Sequence, residues 1–100
     1  TVNDGKYLLG GYRQATVTLS EGQTYRFDQA HSSNGGHTLK LSATSNGTHG
    51  GGSEYTTGVT YNGTPGNAGA YTQITVGVGT PTLYYYCQYH SGMGGQANTP

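Results

Sequence analysis

Apolar positions along the chain recur in short alternating runs, and almost none follow the three-to-four-residue spacing of an amphipathic helix. Residues 6–9 read as a strand closed by Gly10-Gly11. Residues 15–19 alternate, with Val17 and Leu19 on one face. After the turn signal Ser20-Glu21-Gly22, residues 24–27 place Tyr25 and Phe27 on one face. These two runs predict a hairpin. Residues 28–36 are polar and read as a flexible connection. Residues 37–42 alternate again, with Leu39 and Leu41 inward. From 44 to 70 the apolar pattern nearly vanishes into turn chemistry, including Gly50-Gly51-Gly52, Asn62-Gly63 and Pro65-Gly66. A short strand or turn around 55–61 is expected to interrupt it, because long structureless loops are rare in compact domains. Residues 71–78 form the next strand, with Ile74 and Val76 inward. Thr80-Pro81 turns, residues 82–87 form the last strand, and residues 92–100 read as a tail.

Several short strands punctuated by turns predict an all-β sandwich or barrel. One hundred residues suit one domain, 1–100, expected to be a module of a longer chain. Apolar residues make up 31%, below the usual ~45–50% that also counts Gly. Gly, Thr, Ser and Asn fill the difference, and ten tyrosines with many threonines favour half-buried pleated surfaces. Zero net charge, with four Lys and Arg in all, argues against a nucleic-acid partner. No run approaches the ~18 apolar residues of a membrane span. Two triplets, Asn46-Gly47-Thr48 and Asn62-Gly63-Thr64, match the glycosylation pattern, which arises easily by chance in such a composition.

The chemistry concentrates in Cys87-Gln88-Tyr89-His90-Ser91-Gly92-Met93. A strand ends on a thiol, and the loop beyond it offers an imidazole and a thioether at two-residue gaps. This soft set suits copper, and two His with one Cys and a long axial Met define the blue-copper site. Zinc suits Cys and His too, but rarely takes a thioether. Cys87 is the only cysteine, so no internal disulfide can form, and without its neighbours it would read as a small buried hydrophobe. The remaining ligand must be a distant His. His37 is the best placed, where a Gly-rich loop enters an alternating strand; His31 lies in the polar connection and His49 in the Gly-rich excursion. The expected metal ligands are therefore His37, Cys87, His90 and Met93. Tyr84, Tyr85, Tyr86 and Tyr89 admit three readings: sheet packing, a contact patch for a partner or carbohydrate, or an electron path.

The pattern His37…Cys87-x-x-His90-x-x-Met93 resembles the cupredoxins. Leu19-x-x-Gly22-x-Thr24-Tyr25-x-Phe27 resembles their N-terminal hairpin, and Tyr85-Tyr86-Cys87 the strand that delivers their cysteine. The two-residue gap between His90 and Met93 is like that of short-loop members such as amicyanin. The resemblance spans about residues 16–93. It implies a Greek-key β-sandwich or barrel, one bound copper ion, electron transfer to a redox partner protein, and an extracytoplasmic location. Two positions depart from the family: Thr38 stands where Asn often follows the first His, and Tyr89 where Pro often precedes the second. That puts in question the hydrogen bonds tying the ligand loops together.

Gly36-His37-Thr38-Leu39, residues 50–58 and Tyr84-Tyr85-Tyr86-Cys87 are also similar to Gly- and Thr-rich domains of marine bacteriophage virion proteins. That resemblance implies a structural or adhesive module on a virion surface, contacting neighbouring subunits, with metal optional. No paired carboxylates, nucleophile triad or phosphate loop is present, so enzymatic turnover is not expected. A second copper centre, as in a larger copper enzyme, would have only His31 and His49 to draw on.

Overall fold

A computed structural model describes residues 1–100. Ten strands follow one another: β1 (Val2–Asn3), β2 (Lys6–Leu9), β3 (Tyr12–Arg13), β4 (Val17–Thr18), β5 (Thr24–Asp28), β6 (Leu39–Ser42), β7 (Val59–Asn62), β8 (Tyr71–Thr75), β9 (Leu83–Cys87) and β10 (Gly95–Asn98). Two short 3-10 turns, Ser32–Asn34 and Gly47–Gly50, sit in the connections before and after β6. The chain is all-β. Its strands form three sheets, ordered β1-β2-β3, β4-β10-β9-β6 and β5-β8-β7, and do not close into a barrel. Every pairing is antiparallel except that of β4 with β10.

The larger sheets face each other as the layers of a sandwich-like body. Leu39 and Leu41 from β6, Leu83, Tyr85 and Cys87 from β9 and Ala97 from β10 meet Phe27 from β5, Ile74 from β8 and Val76 just beyond it. Tyr7, Leu19 and Met93 complete this cluster. Alternation along β5, β6 and β8 supplies these side chains, as the pattern predicts, and each fully buried Leu or Ile contributes roughly 1.5–3 kcal/mol. On one flank the sheet edges β6 and β7 are clasped by polar groups. Lys40 Nζ lies 2.9 Å from Glu54 Oε1 and the Tyr61 hydroxyl donates to Glu54 Oε2 at 2.6 Å.

Three expectations need correction, and one holds. Residues 15–19 and 24–27 do not form a hairpin, because the Ser20–Gly22 turn carries the chain from one layer to the other. There β4 pairs with β10 and β5 with β8. Alternation shows which face a strand buries but not its neighbour. Residues 28–36 are polar yet built into the body: the side chains of Gln29 and Asn34 are buried and hydrogen-bonded. The expected interruption of the long Gly-rich stretch is present, as a turn at Thr57-Gly58 followed by β7. Residues 92–100 are no tail, and β9 is not the last strand. Gly95–Asn98 forms β10, an inner strand between β4 and β9.

Candidate metal centre

Strand β9 delivers Cys87 at its last residue, with the side chain turned into the core and 0% exposed. Register places Leu39 of β6 opposite Cys87, so His37, two residues before Leu39, reaches the same end of the sandwich. His90 enters from the turn after β9. The three ligand atoms lie within 4.8 Å of one another. Cys87 Sγ is 3.4 Å from His90 Nδ1 and 3.7 Å from His37 Nδ1. The imidazole centroids are 4.6 Å apart. A metal with S and N ligands at about 2.3 and 2.0 Å holds those atoms about 3.5–3.7 Å apart, so the observed spacing fits one shared ion.

These three residues can therefore hold a metal. Met93, the fourth expected ligand, is 2% exposed and packs in the same cluster as Cys87. His31 and His49 do not join the group. His31 Nδ1 lies 2.8 Å from Ser33 Oγ, and His49 Nε2 is 2.8 Å from the Cys87 carbonyl oxygen.

Burial, and after it the neighbouring His90, lowers the pKa of His37 below its ordinary 6.5. Its imidazole is thereby kept neutral, the form that ligates metal. His90 is exposed, and Tyr89 beside it is 63% exposed. The centre thus has a buried sulfur and one imidazole at the molecular surface.

Residues without any spacing signal hold these ligands in place. The His37 carbonyl accepts from Gln29 Nε2 at 2.6 Å and from the Tyr7 hydroxyl at 3.0 Å. Gln29 Oε1 in turn accepts from the Leu39 amide at 3.0 Å. Burial and the adjacent Cys87 hold the Tyr7 phenol in its protonated form. Asn46 spans the ligand loop, its Nδ2 donating to Ser91 Oγ at 2.8 Å and its Oδ1 accepting from the Gly92 amide at 2.9 Å. Thr38 contributes its carbonyl, which accepts from the Gln88 amide at 3.0 Å.

The segment that carries Asn46 and His49 is pressed onto Tyr86, whose ring meets His49 edge-on. A methyl group at Gly47 would overlap that ring, and Gly47 also has a positive φ of 54°. Asn46-Gly47-Thr48 is thus a tightly packed turn whose asparagine amide is already engaged. Tyr85 and Tyr86 are buried, in keeping with the packing reading of the tyrosine run.

No helix is long and apolar enough to cross a membrane. Comparison with protein-family models, with curated proteins and with solved structures finds no match.

Proposed function

We propose that this chain is a mononuclear copper-binding domain of the cupredoxin type, in which His37, Cys87 and His90, with Met93 as a fourth ligand, would hold the ion. The convergence of one thiol and two imidazole nitrogens at metal-sharing distances carries the reading. Thiolate, imidazole and thioether together favour copper over zinc. Copper so held would exchange one electron between Cu(I) and Cu(II). The chain crosses repeatedly between its two larger sheets, which supports a Greek-key sandwich. Tyr7, Gln29 and Asn46 fix the ligands from outside, so little would need to move when the charge on the metal changes. The exposed His90, flanked by Tyr89 and Ser91, offers the surface where a redox partner protein would meet the site. An extracytoplasmic location belongs to this reading.

A second reading keeps the fold and makes metal optional, as in a structural or adhesive virion module contacting neighbouring subunits. One observation favours it: every buried side-chain nitrogen and oxygen has a hydrogen-bond partner within the chain, so none of them calls for an ion. A visible spectrum after addition of Cu(II) separates the two. An intense thiolate-to-copper band near ~600 nm that disappears in Cys87→Ser is expected for a His2Cys site. A colourless protein that retains no copper would sink the copper reading and leave the structural one.

A further inference from the structure

The N-terminal sheet β1-β2-β3 grips the ligand loop through three consecutive carbonyls. Lys6 Nζ donates to the Gly92 carbonyl at 2.8 Å. The Tyr7 amide donates to the Met93 carbonyl at 2.9 Å. Gln14 Nε2 donates to the carbonyls of Gly92 and Gly94, at 3.1 and 2.8 Å. Met93 is thus bracketed on both sides and at its own backbone.

The bracket includes a residue in an unfavourable conformation. Gln14 has φ 49°, a left-handed backbone that costs a non-glycine residue free energy and persists only where surroundings enforce it. Here its amide is bound to the Tyr7 carbonyl at 2.7 Å while its side chain spans two loop carbonyls. A methionine side chain has three rotatable bonds and adapts readily. Where its sulfur comes to rest therefore depends on how firmly the backbone beneath it is fixed.

We propose that Lys6 and Gln14 are positioning residues for the Met93 limb of the metal centre, so that docking of the N-terminal sheet and metal binding strengthen each other. The proposal rests on the copper reading above. Such coupling is reciprocal: whatever the docked sheet adds to metal affinity, bound metal returns to docking.

The test compares the full-length wild type with Gln14→Gly, which removes the side chain without adding backbone strain, and with Lys6→Met and Lys6→Arg. In metal-free protein, amide hydrogen exchange at Tyr7 and Gly92 is expected to quicken in Gln14→Gly and Lys6→Met. Leu41 and Ile74, in the core, are expected to stay protected. On titration with Cu(II) and with Cu(I), these two variants are expected to bind about tenfold more weakly or worse, with an altered charge-transfer spectrum. Lys6→Arg, which keeps a cationic donor, is expected to restore much of the wild-type spectrum. In the wild type, loading with Cu(I) is expected to slow exchange at Tyr7. Variants that match the wild type in affinity and spectrum overturn the proposal alone, even if their exchange quickens. A wild type that retains no copper removes the copper reading and the proposal together.

Discussion

Asn46 presents both halves of its amide to the loop between His90 and Met93, and no neighbouring side chain duplicates either contact. Asn46→Ala would leave the Gly92 amide without its acceptor and Ser91 without its donor. A loss of about 1–3 kcal/mol in unfolding free energy is expected, measured by urea denaturation of the metal-free protein. Asn46→Asp keeps an acceptor for the Gly92 amide and is expected to lose less. An Asn46→Ala protein as stable as the wild type would show that the loop is held by other contacts. The grouping of Cys87 with His90 could be read from their local spacing at the end of β9, and that of His37 because it lies just before a strand with alternating Leu39 and Leu41. Asn46, Gln29 and Lys6 gave no comparable sign. Their roles come from contacts far along the chain, and an Asn before Gly looks the same in any turn.

Among the elements, β10 shows most clearly where pattern reading stops. Gly95-Gln96-Ala97-Asn98 has little intrinsic preference for a strand, and only Ala97 is fully buried. Its conformation is imposed by the neighbours it pairs with, Leu83–Tyr85 on one side and Val17–Thr18 on the other. Entry into that slot depends on Gly94, where a methyl group would overlap the Tyr85 carbonyl. Gly94→Ala is therefore expected to prevent β10 from docking beside β9, lowering the thermal midpoint by several degrees. Differential scanning calorimetry would measure this, and an unchanged midpoint would contradict the role given to Gly94. Strands β2, β5, β6, β8 and β9 were legible because each buries an alternating face against the core. The partners of β4 and β5 were not, since alternation is the same whichever strand lies alongside.

For the molecule as a whole, stability of the metal-free form should depend on acidity in two windows. The folded pKa of His37 lies below 6.5, so just below that pH the unfolded chain binds a proton that the native state refuses. Stability then rises with pH through this window and levels off above it. At Glu54, burial opposes ionisation, but hydrogen bonds from Tyr61 and Lys40 and the lysine charge outweigh it and bring the pKa below 4.5. Its contribution is complete above pH 4.5 and is lost as the pH falls through the folded value. Urea midpoints are expected to fall between pH 7.5 and 5.5, and again below 4.5. Replacing His37 by Gln should flatten the upper step only. A midpoint independent of pH from 7.5 to 5.5 would refute the assignment to His37.

The parallel pairing of β4 with β10 has a consequence for the order in which the elements can assemble. Val17 and Thr18 precede Ala97 and Asn98 by about eighty residues, yet can pair with them only once β10 has been made. The loop bearing Cys87, His90 and Met93 is anchored on β9 and β10 together, so its geometry cannot be set before β10 has been made and docked. Such long-range closure also slows folding. A chain interrupted before β10 would carry the thiol without the architecture around it. The grouping of His37, Cys87 and His90 is thus a late product of folding, set only after β10 has docked between β4 and β9.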